Sequence, residues 1–341
     1  MPSGDRRPEH HVEDEPSHLS AARLRPLFTA DLRDEMVEAY TMLQKALTSG
    51  RPVVLGRTSC GAEACLSVAA IQRHDLSHIC GDIHGKSGIY PDTLLERHRF
   101  VRIYKDAISA LDGGDGILDI SCSAHSDSII LEKWAPHVQH FDWLNVGFIA
   151  AESIRSSAIC ETAWTRVMEG RTVLVVHPFI HTIRCQLARQ RYVHACKNVL
   201  PMNASFKLVQ MSQALALRPH ASYNETLHFT FSQIDRAGDF DMAIIGAGAY
   251  GMPIAAYVKQ AKRRVAVVLG GLSQTLFGIE GGRWAKHDKF ASEVAFQNWT
   301  YPLQADVPAT SRPVGDVING VGAYWGPGAL TPKVCPLATG S

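Results

Sequence analysis

The segment Gly246-Ala247-Gly248-Ala249-Tyr250-Gly251 sets three glycines at the spacing G-x-G-x-x-G. Glycine lets a backbone turn sharply and lets other groups approach it closely. Placed between a strand and a helix, such a turn aims backbone N–H groups and the positive end of a helix dipole at an anion, usually a phosphate. The flanks supply that context. The apolar run 242–245 precedes the turn, a helical stretch follows to Arg264, and a second apolar run, 265–269, ends in Gly270-Gly271. Gly246, Gly248, Tyr250 and Gly251 are therefore candidate contacts to a nucleotide-type ligand.

The next strand bears on which nucleotide. A dinucleotide fold places an acid near its end to hold the ribose. Here that strand closes on Val268-Leu269-Gly270-Gly271 with no acid, which argues against NAD. A plainer reading is that the glycines serve only close helix–strand packing.

Further candidates sit at other strand ends, where ligands of open α/β sheets collect. Gly270, Gly271, Arg283 and Trp284 form a second glycine-rich rim. Arg283 offers a forked pair of donors to a phosphate, and Trp284 offers a face for a base or sugar. His177 ends the apolar run 173–176 and could orient a hydroxyl or act as a base. It could equally be a capping or core histidine. Arg57 and Glu63 flank the loop after the run 52–55. A carboxylate there could hold a divalent metal against a diphosphate. It could also simply complement the dipole in the first turn of a helix. The cluster Asp82-Ile-His84, with His74 and His78, lacks the tight spacing of a metal site.

The elements that position these residues follow from periodicity. Apolar spacing predicts helices over 31–49, 64–72, 96–111, 128–141, 161–169, 182–196 and 224–237. It predicts strands over 52–55, 116–120, 173–176 and 206–210, a strand or loop over 144–151, and a loop over 74–92. Strands alternating with helices indicate a Rossmann-like α/β fold, a mainly parallel, doubly wound sheet. Residues 1–25 read as a disordered tail, 26–330 as one α/β domain and 331–341 as a flexible end.

The 341 residues are 46% apolar and 20% charged, enough to bury a sizeable core. A net charge of +1 excludes a single-sign field for nucleic acid or a membrane surface. No apolar stretch approaches the roughly 20 residues needed to span a bilayer. The start of the chain lacks the apolar core of a signal peptide. Eight cysteines without a CxxC pair read as reduced thiols, and together with these features suggest a cytoplasmic protein.

Several longer blocks carry a resemblance. GRTVLVVHPFIHTIRCQ, DFDMAIIGAGAYGMPIAAYVKQ, VVLGGLSQTLFGIEGGRW and VGAYW, with GRTSCGAEA earlier, resemble bacterial proteins of the GT-D glycosyltransferase-like superfamily. The resemblance implies a GT-D-like fold and a link to polysaccharide biosynthesis. It implies transfer of a sugar from a nucleotide-sugar donor to a sugar or polysaccharide acceptor. It also implies a manganese or magnesium ion held through an Asp-x-Glu motif. In this chain Glu63 keeps the Glu, while Gly61 stands where the Asp would be. The expected site is Arg57, Glu63, His177, the 246–251 turn, Gly270, Gly271, Arg283 and Trp284. Glu63 or His177 would be the base, and the chain a possible homo-oligomer. Two rivals are a non-catalytic nucleotide-binding protein and a nucleotide-dependent enzyme of other chemistry.

Overall fold

A computed structural model describes residues 30–58, 61–119, 124–142, 163–189, 193–194, 197–214, 217–281 and 299–307. The strands are β1 (Val54–Arg57), β2 (Gly116–Asp119), β3 (Gln139–Asp142), β4 (Thr172–His177), β5 (Ser205–Gln210), β6 (Met242–Ile245) and β7 (Val265–Val268). They form one sheet in the order β3-β2-β1-β7-β6-β4-β5. Every pairing in it is parallel. The Rossmann-like α/β expectation therefore holds at the level of the parallel sheet.

Alternate residues of each strand point to opposite faces, and here both faces are covered. On one face Val54, Ile117, Leu174, Val176, Ala243, Ile245, Ala266 and Val268 pack under helices. These are α2 (Ala62–Ile71), α4 (Leu94–Ser109), α5 (Ala124–Trp134), α7 (Tyr223–Arg236) and α8 (Gly251–Gln260). A short helix, α3 (Ile83–Ser87), lies within the expected 74–92 loop. On the other face Leu55, Leu118, Val173, Val175, Met242, Ile244, Val265 and Val267 pack against α1 (Ala30–Ser49), α6 (Ile180–Ala188) and α9 (Leu272–Leu276). Double coverage explains why the strands read as continuous apolar runs.

Two elements differ from expectation. The helix expected over 128–141 divides. Pro136 disfavours helical geometry at Ala135, α5 stops at Trp134, and β3 follows as an edge strand. The helix expected over 161–169 is a short 3-10 turn at Trp164–Met168. The possible strand at 144–151 lies outside the described residues.

The cysteine expectation is corrected. Cys65 on α2 and Cys80 form a disulfide with their Cα atoms 5.7 Å apart. Cys185 on α6 is also disulfide-bonded. The spacing of Cys65 and Cys80 matches no simple motif; folding brings them together when the chain after α2 doubles back. Among the described residues no helix is long and apolar enough to cross a membrane.

The amino-terminal rim of the sheet carries a buried ion pair. Asp115 is fully buried; its carboxylate accepts from the Val54 N–H at 2.7 Å and from the Asp112 N–H at 2.6 Å. Lys259, at the end of α8, donates to Asp115, to Asp112 at 2.9 Å and to the Ala110 carbonyl at 3.0 Å. This ties α8 to the loop before β2. Removing one member of a buried pair strands the other charge and costs about 3–5 kcal/mol. Lys259→Met is expected to lower the urea-unfolding free energy by that amount; a loss under about 1 kcal/mol would contradict the pairing.

Candidate functional site

The carboxyl ends of four neighbouring strands, β1, β7, β6 and β4, form the rim opposite that ion pair. β6 leads into α8 on one face, while its neighbour β4 leads into α6 on the other. The same divergence occurs between β1, which leads into α2, and β7, which leads into α9. Crevices where chain connections part in this way are the usual ligand sites of open α/β sheets.

At the end of β6 each glycine has its own task. A Cβ on Gly246 would stand 2.1 Å from Ser273 Oγ and 2.5 Å from His177 Cδ2, so three strand ends converge on one hydrogen. Gly248 has φ +53°, is exposed, and has open space where a side chain would be. Gly251 lets α8 approach β7, where a Cβ would meet Val268 at 2.8 Å.

Backbone accounting shows what the turn offers. The Ala247 carbonyl accepts from the Tyr250 N–H at 3.1 Å, and the Gly248 carbonyl from the Gly251 N–H. The Ala249 carbonyl accepts from the Tyr223 hydroxyl at 3.0 Å. The N–H groups of Ala247, Gly248 and Ala249 meet no acceptor among the described residues. Ala247 has φ −132° and ψ 22°, and Gly248 then turns left-handed. Successive amides in such a turn form a concave nest that attracts anions. Buried amides are rarely left without a partner, and Ala249 is only 1% exposed.

At the end of β7, Gly270 has φ +58°, and a Cβ there would collide with Arg57 Cζ at 2.5 Å. Arg57, half-buried at the end of β1, thus lies directly over the Gly270-Gly271 turn. Ser273 Oγ donates to the Gly270 carbonyl and fixes that turn. The fold therefore brings Arg57, Gly246, Gly248, Gly270, Gly271 and His177 to one rim.

His177 is buried, and its Nδ1 accepts the Phe179 N–H at 2.9 Å. In the neutral ring that bond leaves the proton on Nε2, the atom turned towards Gly246. Burial lowers its pKa from 6.5 to about 3. The side chain suits a neutral hydrogen-bond donor, whereas a base at Nε2 would need an unprotonated nitrogen there.

Glu63 and Tyr250 are buried and already engaged within the protein. Glu63 is 3% exposed, and its Oε2 accepts from Ser87 Oγ at 2.6 Å, which in turn accepts the Ala62 N–H. It joins α2 to α3. Tyr250 is buried, stacks on Tyr223 and donates to the Gly88 carbonyl at 3.0 Å, so its ring has no free face for a base. Asp82 caps α3, and His84 Nε2 bonds the Leu217 carbonyl at 2.8 Å. Among the described residues no three His, Cys, Asp or Glu side chains stand together to hold a metal ion. With Oε2 bound to Ser87 Oγ and no second ligand beside it among the described residues, Glu63 alone does not make a metal centre. Arg283 and Trp284 lie outside the described residues.

Sequence reasoning missed Asp306. Its carboxylate accepts from the His181 N–H at 3.2 Å, from the Thr182 N–H at 2.7 Å and from Thr182 Oγ1 at 2.6 Å. It thereby fills the amino terminus of α6, directly after His177, with an anion from the chain itself. Burial raises the Asp306 pKa above its ordinary value, partly offset by the bonds from Thr182. No motif marks Asp306; it stands alone in a proline-rich stretch. A cavity of about 370 Å³ lies elsewhere, between α6 and β5, lined by Arg184, Leu187, Ala188, Phe206 and Leu208. It shares no residue with the rim.

The chain matches no protein-family model, no curated protein and no solved structure. The likeness to GT-D proteins therefore rests on the motifs quoted above.

The buried histidines predict an acid response. Burial also lowers the pKa of His194, to about 4, while its Nε2 bonds the Leu276 carbonyl at 2.7 Å. Once the pH is below 6.5 the unfolded chain takes up protons that the folded chain refuses. Stability is thus complete above that pH and falls as the pH drops towards the folded-state values. The slope is at most about 1.4 kcal/mol per pH unit for each histidine. Urea unfolding at about pH 7, 6 and 5 is expected to show this decline. His194→Gln should make it shallower; an unchanged slope would contradict the assignment.

Proposed function

We propose that the chain binds a nucleotide-type ligand at the carboxyl rim of β1, β7, β6 and β4, with its diphosphate on the 247–249 nest. The carrying observation is that three consecutive amides, of Ala247, Gly248 and Ala249, meet no acceptor among the described residues. Arg57 supplies positive charge above the neighbouring Gly270 turn, and His177 Nε2–H an uncharged donor. Backbone amides and one guanidinium recognise phosphate oxygens well and leave a base or sugar to other contacts.

The reaction we propose for this site is transfer of a sugar from a nucleotide-sugar donor to an acceptor hydroxyl, in a GT-D-like protein. It rests on the sequence resemblance together with the phosphate-directed donors. The acceptor oxygen would form a bond to the anomeric carbon as the bond to the diphosphate breaks. The nest amides and Arg57 would hold the negative charge that accumulates on the leaving group. The acceptor's proton would pass to an oxygen of the departing diphosphate, since Glu63 is buried and bound to Ser87 through Oε2.

A second reading, a non-catalytic nucleotide-binding protein, draws support from two of the same contacts. Glu63 is engaged with Ser87, and the protonated His177 Nε2 is poorly placed to act as a base. The Cys65–Cys80 disulfide also favours an oxidising compartment over the cytoplasm, since thiols there are kept reduced.

Thermal shift with UDP, GDP, NAD and S-adenosylmethionine separates the ligand classes. A diphosphate nucleotide is expected to stabilise the chain, by about 2.7 kcal/mol at a hundredfold excess over Kd. Arg57→Gln should weaken that ligand by about tenfold or more. No stabilisation by any diphosphate would overturn the reading. Donor hydrolysis with retained binding supports transfer, and binding without turnover supports the second reading.

A further inference from the structure

Tyr223, the first residue of α7, is fully buried beneath the glycine turn. Its backbone N–H donates to the Tyr90 carbonyl at 2.7 Å. Its ring stacks on Tyr250 with centroids 4.1 Å apart, and Phe100 packs edge-on at 5.1 Å. From this rigid frame the hydroxyl donates to the Ala249 carbonyl. Burial, reinforced by the charges of Glu63, Tyr104 and Glu96, pushes the phenol well above its ordinary range, so it stays a donor at any ordinary pH.

That one bond propagates through planar peptides. In a trans peptide the C=O and N–H point in opposite directions. With the Ala249 carbonyl drawn to Tyr223, the N–H of the same peptide, on Tyr250, is directed at the Ala247 carbonyl. With the Ala247 carbonyl held in turn, the N–H of its peptide, on Gly248, faces away from the protein. Without the hydroxyl, the Ala249 carbonyl becomes a buried acceptor with no partner. Rotating its peptide to find one would swing the Tyr250 and Gly248 amides out of line.

We propose that Tyr223 is a positioning residue for anion binding: its hydroxyl locks the 249–250 peptide and, through it, turns the Gly248 amide towards the ligand. This rests on the diphosphate reading above and adds the group that preorganises the site.

Calorimetric titration of the full chain with inorganic pyrophosphate tests it. Tyr223→Phe is expected to weaken pyrophosphate by about tenfold, the equivalent of one hydrogen-bonded donor. Tyr90→Phe supplies the control. It removes an equally buried hydroxyl that bonds Thr226 and His220 and meets the Tyr250 side chain but no backbone group of the turn, and should leave the affinity unchanged. A Tyr223→Phe chain that binds as tightly as wild type would overturn the proposal, as would an equal loss in both variants. Failure of the wild type to bind pyrophosphate would overturn the diphosphate reading with it, which distinguishes the two failures. If Tyr223→Phe does not fold, 3-fluorotyrosine placed at position 223 alone keeps the shape and strengthens the donor. Tighter pyrophosphate binding is then expected, and unchanged affinity contradicts the proposal.

Discussion

A parallel sheet covered on both faces leaves polar groups little room except along its two rims. In this chain the strand interiors are apolar on either side, from Leu55 and Val54 through Val175 and Val176 to Val267 and Val268. Each strand end must therefore pair its remaining backbone groups locally, with a helix, a side chain or a ligand. The two rims meet that demand differently. At the amino rim Asp115 and Lys259 satisfy one another and the Val54 amide inside the protein. At the carboxyl rim the amides of Ala247, Gly248 and Ala249 find no such acceptor among the described residues.

The carboxyl rim is also where the chain allows the closest approaches. Gly246 and Gly270 lie beneath His177, Ser273 and Arg57 at distances that a Cβ would forbid. These contacts link β1, β7, β6 and β4, so movement of one turn would be felt by the others. The amino terminus of α6 at the same rim is closed by Asp306. The anion preference of helix ends is thus met there by the chain itself, while the amides of the 247–249 nest meet no acceptor among the described residues.

Much of this was legible in the sequence. The strand–turn–helix–strand unit around Gly246–Gly251 is local, and its glycine spacing and apolar flanks predicted both the turn and its orientation. His177 and Arg57 were readable because each ends an apolar run, which places it on the carboxyl rim. Groups that depend on long-range packing were not. Asp306 meets Thr182 across more than a hundred residues, Tyr223 meets Ala249 from a different helix, and Cys65 meets Cys80 only after the chain reverses. Glu63 was readable as a residue of the first turn of α2, but its partner Ser87, brought back by α3, was not. Similarly, Tyr250 sits inside the glycine motif but packs inward against Tyr223.

The central claim is that three backbone amides at the end of β6 receive the phosphate of a ligand. Amide-resolved NMR during titration with a diphosphate nucleotide tests it most directly. The account predicts that the Ala247, Gly248 and Ala249 amide protons move downfield together and become slower to exchange. Gly270 and Gly271 should follow with smaller shifts. Shifts confined to residues 184–208, along the cavity between α6 and β5, would contradict it. So would a saturable titration that leaves the three amides unmoved.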